Sequence, residues 1–426
     1  MRGPPVVRPL APQSVRFTLL LGALVTLASF ATDMGLPVLA ATAASFGVAP
    51  GTAALTLSVF IAGFALGPLV FGPLSDHYGR RPILLVGCAT FAGFGALATL
   101  SHSLGALLAF RFAMGVGAGA CQVLVFAVVR DLFIGREARV RQSYVNLAGG
   151  IAPIIAPTLG VAVATLGGWR AIYAALAIGG SVLLAAVTLC LAESAPRRTD
   201  RAITLRSVLV SYARVLRHPV SVGNVLVMAL CFGCLFAYVS GSSLVLIQVY
   251  GVSRRVYGLL FASSAFGLML GAFSSAQLSR RGVPHMWLIA GGLAAVVATA
   301  LALLALTLLG WMRVGLLVPL ATLGFIGQGI ARPNVAQGAL EPMSEIAGVA
   351  SAVMSGVQMV VGAAASALVA TLFDGHSALA MTAAMSVCAL CAAATYAFVV
   401  RPAERRYGQP ADALDETGLD AEAFAA

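Results

Sequence analysis

One of the 15 acidic residues in this 426-residue chain, Asp33, stands deep inside an apolar run of membrane-spanning length. An ionisable side chain in that position is costly, so it is read first as a functional group. Its setting, Ala31-Thr32-Asp33-Met34-Gly35-Leu36-Pro37, adds a second polar feature. Pro37 has no N–H to offer the Asp33 carbonyl four residues back, which predicts a kink and a free backbone acceptor beside the carboxylate. The second outlier is Arg111, about seven residues into another apolar run, or ~10 Å at the helical rise. Asp33 lies about as deep, counted from the same membrane face by the same rise. Equal depth predicts that the two groups pair or share a wet cavity. A static pair would only hold helices together. A titrating pair would do more. Desolvation raises a carboxylate's pKa and a neighbouring guanidinium lowers it, so a change in access moves a proton on or off. Asp33 is then the proton carrier and Arg111 the group that lets it ionise.

Positioning such groups in lipid takes helices, because no water is present to satisfy an open backbone. The composition agrees: 60% of residues are hydrophobic, 10% are charged, and mean hydropathy is +0.97. Apolar runs fall at about 17–39, 54–71, 82–100, 104–129, 142–165 and 169–191, then 220–246, 256–278, 286–308, 314–335, 346–371 and 376–400, each long enough for a ~30 Å core. The expected fold is all-α and integral to the membrane, with twelve spans in two six-helix bundles. The division is residues 1–195 for the first bundle, 196–218 for a cytoplasmic linker, 219–402 for the second bundle and 403–426 for an acidic disordered tail. The halves echo each other in Gly79-Arg80-Arg81-Pro82 and Ser279-Arg280-Arg281-Gly282, as in duplicated carriers whose substrate site lies at the interface near mid-membrane.

Arginine sets the orientation. With twelve spans, 21 of the 26 arginines fall on the side of the termini, Arg332 among them, so both termini are expected in the cytoplasm. The net charge of +11 is therefore read as membrane topology, not as nucleic-acid binding. Arg2, Arg8 and Arg16 before an apolar run imitate a signal peptide, but the run is too long and carries Asp33, so an uncleaved first span is expected. Cys231/Cys234 and Cys388/Cys391 have the C-x-x-C spacing of redox or zinc sites. With no histidine or charge beside them they read as buried small residues, and neither metal nor cofactor is expected.

Gly72-Pro73-Leu74-Ser75-Asp76-His77-Tyr78-Gly79-Arg80-Arg81-Pro82 reads as a short charged turn between spans 2 and 3. It resembles the signature loop of the major facilitator superfamily, departing at His77, where the family usually has a fixed cation. The resemblance implies a latch on the cytoplasmic gate built from Gly72, Asp76, Gly79, Arg80 and Arg81. Asp76 would cap span 11 near Gly348, and Arg80 would pair with Asp131 or Glu137. Thr32-Asp33-Met34-Gly35-Leu36-Pro37, Val129-Arg130-Asp131-Leu132-Phe133, Ala152-Pro153-Ile154-Ile155-Ala156-Pro157 and Gly168-Trp169-Arg170 in the first half resemble the bicyclomycin- and chloramphenicol-resistance branch of drug/proton antiporters (the Bcr/CflA type). So do Tyr238-Val239-Ser240-Gly241-Ser242, Tyr257-Gly258-Leu259-Leu260-Phe261 and Arg332-Pro333-Asn334 in the second. Gly35 departs, standing where relatives usually carry a Tyr.

Carried over residue by residue, Arg111 and the following Gly115, Gly117 and Gly119 match the superfamily's span-4 arginine motif, implicated in proton transfer. Gly150, Pro153, Pro157 and Gly160 match its span-5 antiporter motif. Physically that motif is a kinked helix with small residues that allow close packing. Gln122 lies three turns past Arg111 on nearly the same face. With Thr32, Leu36, Tyr238, Ser240 and Gln358 it completes the expected substrate cavity; Ser242 and Gln328 are further candidates. No acid stands deep in the second half. Such a cavity, mostly apolar with few fixed polar groups, suits lipophilic molecules of varied shape.

The expectation is a proton-coupled antiporter of a bacterial cytoplasmic membrane, active as a monomer, that exports small lipophilic drugs, neutral or cationic. The alternative is a proton-coupled exporter or symporter of a small metabolite. An enzyme or a channel is a poor fit, since the chain has no H-E-x-x-H, no Gly-x-Ser-x-Gly and no filter-like loop.

Overall fold

The computed structural model describes residues 10–194 and 212–407. The expected disordered tail begins inside a helix, Arg401–Tyr407; its remainder from 408 and most of the expected linker lie outside the described residues. Within them, eleven helical stretches are long and apolar enough to cross a membrane. One of these, Gly135–Cys190, bends at Gly167 and Gly168, where the backbone leaves helical geometry, and so makes two crossings. The crossings number twelve.

The first crossing is composite. Helix α1 (Val15–Asp33) stops at the buried carboxylate, a 3₁₀ turn follows at Leu36–Val38, and α2 (Leu39–Phe46) completes the span. The missing N–H of Pro37 supplies the break, as its sequence position implies. The half continues with α3 (Pro50–Tyr78), α4 (Arg80–Thr99), α5 (Leu104–Leu132) and the bent α6 (Gly135–Cys190). The second half comprises α7 (Pro219–Ser243), α8 (Arg254–Arg280), α9 (His285–Leu308), α10 (Val314–Leu340), α11 (Ala347–Leu372) and α12 (Leu379–Thr395). Serine hydroxyls open several of them. Ser14, Ser103 and Ser253 accept the N–H of Phe17, Ala106 and Val256, replacing intrahelical bonds that a first turn lacks.

Two expectations need correction. The charged stretch 72–82 is not a loop, because α3 remains helical to Tyr78 and the chain reverses at Gly79 alone. Gly79 has φ +100°, and a Cβ there would stand 2.6 Å from a Glu193 carboxylate oxygen; both favour glycine. Arg332, counted with the terminal-side arginines near the end of a run drawn to about 335, lies inside α10, which continues to Leu340. Its guanidinium sits 5.7 Å from the Phe232 ring centroid.

The described ends of the first half meet, with the Leu10 N–H donating to the Cys190 carbonyl at 2.8 Å. The two halves touch most closely on the side away from these ends. Ser58 donates to Ser366 Oγ across the seam at 2.8 Å. Gly51 lies against the Ala370 carbonyl, and Gly258 against Thr158.

Candidate substrate and proton site

Between the halves lies a cavity of about 270 Å³. From the first half it receives Ser29, Thr32 and Asp33 of α1, Phe60 and Phe64 of α3, Gln122 of α5, and Gly150 and Pro153 of α6. The second half contributes Phe232, Phe236, Tyr238, Phe261, Ser264 and Phe325. Seven aromatic rings stand in its wall among aliphatic and small residues, and Asp33 is its one carboxylate. Asp33 is 5% exposed and makes no ion pair among the described residues.

The break in α1 that presents Asp33 is held from behind by α6. A Cβ on Gly160 would stand 2.1 Å from the Met34 carbonyl oxygen, so only glycine lets the two backbones meet there. The antiporter-motif residues thus serve two purposes in the packing: Gly160 supports the break and Pro153 lines the cavity.

Arg111 is equally buried, at 3% exposure, but it does not meet Asp33 here. Its Nε donates to the Thr56 carbonyl at 3.2 Å, and its guanidinium lies 4.4 Å from the Phe60 centroid and 5.7 Å from that of Tyr173. Nη1 is buried without a hydrogen-bond partner among the described residues. Arg111 instead faces a separate small cavity with Leu36, Thr56 and Tyr173, and Thr32 borders both cavities. Leu36, expected in the substrate cavity, belongs to this second one. The two charges share a depth but point to opposite faces of the α1 break. The close approach of α5 to α3 comes from its glycines, since Cβ atoms on Gly115 and Gly119 would overlap the Phe60 and Phe64 carbonyls.

Thr32, Gln122 and Tyr238 reach the cavity as expected. Ser240 does not; its hydroxyl donates to the Ser366 carbonyl at 3.3 Å, behind the wall. Gln358 is buried but is not among the lining residues, where Met359 takes its place. Tyr238 is fixed by a 2.8 Å hydrogen bond to Ser264 and by the rings of Phe261 and Phe325. Ser242 is occupied by Tyr257, and Gln328 is buried outside the cavity. The phenylalanines of α7, α8 and α10 gave no signal in the sequence, because these helices are apolar on every face.

On the terminal side, Arg80 is the hub. It pairs with Asp131 at 2.8 Å and with Asp76 one turn before it, and donates to Ser75 Oγ at 2.6 Å. Glu193, at the end of the first half, accepts the N–H groups of Arg80 and Arg81. Glu137 pairs with Arg141 instead of Arg80. Asp76 is engaged by Arg80, and the side chain nearest Gly348 is Arg130, whose Nη1 stands 3.5 Å from a Cβ built there. The expected cap of Asp76 on that helix is absent from this conformation.

A twelve-crossing, two-bundle fold around a shared cavity is that of a membrane carrier, and residues 20–366 match the Major Facilitator Superfamily. The chain belongs to that family; it is a multi-pass membrane transporter and not an enzyme. Among its relatives, the "Bicyclomycin resistance protein homolog" of Haemophilus influenzae is 29% identical over 385 residues, covering 90% of this chain and 96% of the relative. The "Chloramphenicol resistance protein" of Pseudomonas aeruginosa is 32% identical over 346 residues, 79% of each chain. "Multidrug resistance protein D" of Escherichia coli is 29% identical over 379 residues, 87% of this chain and 93% of the relative. The resemblance read from the motifs is to this same branch. Among solved structures, a bacterial homologue of the human lysosomal transporter Spinster, inward-facing and occupied, superposes with a TM-score of 0.66 at 17% identity, covering 92% of this chain and 96% of that one. A D-xylose–proton symporter gives 0.67 at 15% identity, covering 91% and 98%. At such identities the likeness concerns the fold.

Proposed function

We propose that this transporter is a proton-coupled antiporter that expels small lipophilic drugs, neutral or cationic, by alternating access. The observation that carries the reading is the single carboxylate of Asp33 in an aromatic cavity between the halves. Aromatic faces attract cations and stack on neutral rings, and a mostly apolar wall accommodates varied shapes. A carboxylate without an ion pair in such a place is costly when charged. A proton on Asp33 removes that cost, and an arriving cationic drug removes it as well. Proton and drug therefore compete for one group, which is the coupling that antiport requires. The relatives named for bicyclomycin, chloramphenicol and multidrug resistance support the substrate class.

Arg111 acts from the other face of the α1 break. Its unpartnered Nη1 is the group that receives the Asp33 carboxylate when the halves rock, with Thr32 between the two cavities as the place of passage. In the present state the halves are sealed away from the termini. Given the arginine distribution, this is the inward-facing state, and Arg80 with Asp76, Asp131, Arg81 and Glu193 belongs to the cytoplasmic gate. The monomer holds all these parts. The test is efflux of a lipophilic cation from proteoliposomes of the purified protein. Export that stops when the proton gradient is dissipated supports antiport; export that persists overturns it.

A further inference from the structure

We propose that a groove between α1 and the first part of α6 binds an anionic phospholipid. The groove is separate from the central cavity and has a volume of about 1070 Å³. Along α6 it runs from Arg136 to Ile151, ~22 Å at the helical rise; half of a bilayer core is ~15 Å. It therefore spans one leaflet. Its walls are open apolar side chains, with Leu19, Tyr144, Leu147 and Ile151 all exposed.

The terminal-side end of the groove has the opposite chemistry. Here α6 begins at Gly135, after Ile134, whose side chain gives no capping hydrogen bond. The first amides of the helix are left to an outside acceptor, and the positive end of its dipole favours an anion. Ile134 itself is 90% exposed. Arg136 lines the groove, is exposed, and makes no ion pair among the described residues. Arg141 lies on the floor, donating to the Gln13 carbonyl at 2.7 Å and to the Thr18 hydroxyl. The one acid present, Glu137, stands 3.9 Å from Arg141, so two guanidiniums face a single carboxylate.

An uncapped helix start, a free arginine and a leaflet-deep apolar groove fit one molecule with a phosphate head and an acyl tail. Basic pockets between membrane helices are suited to anionic head groups. A cationic drug would meet repulsion at this mouth. The chain's own first residues, with Arg2 and Arg8, would add positive charge and not neutralise it. The groove ends at Thr26 and Ile151, next to Ser29 and Gly150 of the central cavity, so the tail of a bound lipid would rest at the threshold of the substrate site.

The experiment is native mass spectrometry of the full chain in detergent with equal amounts of phosphatidylglycerol and phosphatidylcholine. The wild type should retain phosphatidylglycerol preferentially. Arg136→Gln should lower that preference about fivefold, the worth of one arginine near an anionic surface, and Arg136→Lys should restore much of it. Leu147→Trp, filling the groove from an exposed position, should reduce retention of both lipids. Arg280→Gln with Arg281→Gln, on another basic patch, should change nothing. Melting temperature and elution volume report that each variant is folded. Equal retention of the two lipids by wild type would overturn the proposal. So would a preference untouched by Arg136→Gln, one lost equally in the Arg280/Arg281 control, or one that emerges only after residues 2–9 are removed.

Discussion

Substituting Gly51 should unlock the seam between the halves. A Cβ at this position would lie 2.3 Å from the Ala370 carbonyl oxygen and 3.4 Å from its carbon. Comfortable contact is about 3.5 Å, so Gly51→Ala must push α3 and α11 apart by roughly 1 Å. Both partners are backbone or Cβ, and no flexible side chain can yield instead. Overpacking of this kind costs about 1–3 kcal/mol. The cost falls only on the state in which this seam is closed, while the gain in helix propensity from glycine to alanine is shared by both states. A coupling of ~1–3 kcal/mol shifts a two-state ratio about 5–150-fold, towards the state open on the side away from the termini. Spin labels on exposed Ser45 and His376, in a variant whose seven native cysteines have been replaced, report that distance by double electron–electron resonance. The expected result is a longer, broader distribution in Gly51→Ala. An unchanged distribution in a folded protein would show that the contact of Gly51 with Ala370 does not hold the seam closed.

Arg80→Gln leaves the buried Asp131 carboxylate uncompensated at about 3–5 kcal/mol; thermal melting should show a large loss, much of it recovered by adding Asp131→Asn. Gly160→Val drives a side chain into the Met34 carbonyl, so transport should fall at least tenfold while expression and membrane insertion remain measurable. Asp374 accepts the N–H groups of His376 and Ser377 and the Ser377 hydroxyl, which holds its carboxyl below the usual carboxylate range. The sign follows: its contribution is present above the unfolded pKa and is lost as pH falls through the lowered folded value. Asp374→Ala should therefore lower stability near neutrality and narrow the gap to wild type below about pH 4, where the unfolded carboxyl protonates. Because the group is exposed, the effect should be below about 1 kcal/mol.

The sequence was most readable along the membrane normal and least readable around each helix axis. Apolar run length located the crossings, and Pro37 located the break at Asp33, because both are one-dimensional signals. The depths of Asp33 and Arg111 agree with their burial. Their pairing did not follow, because depth says nothing about azimuth: the break turns Asp33 to the central cavity and leaves Arg111 among Phe60, Tyr173 and Thr56. The aromatic wall was hidden for a related reason. A helix in lipid is apolar on all sides, so Phe232 and Phe261 look like any lipid-facing phenylalanine. Ser240 and Gln358 stand out in the sequence as polar residues in apolar runs, yet a buried hydroxyl in a membrane helix can be satisfied by a neighbouring carbonyl, as Ser240 is by Ser366. The charged stretch 72–82 looked like a loop because its residues are loop-like in composition, whereas one left-handed glycine suffices to turn the chain.

In the proposed cycle, drug and proton compete for Asp33. Inverted membrane vesicles carrying a pH-sensitive dye and an inside-acid gradient test it directly, with chloramphenicol-like and cationic drugs added to wild type and to Asp33→Asn. Drug-triggered proton release in wild type and none in the variant is the predicted result. Equal release in both would rule out coupling at Asp33 and leave it as a buried scaffold residue.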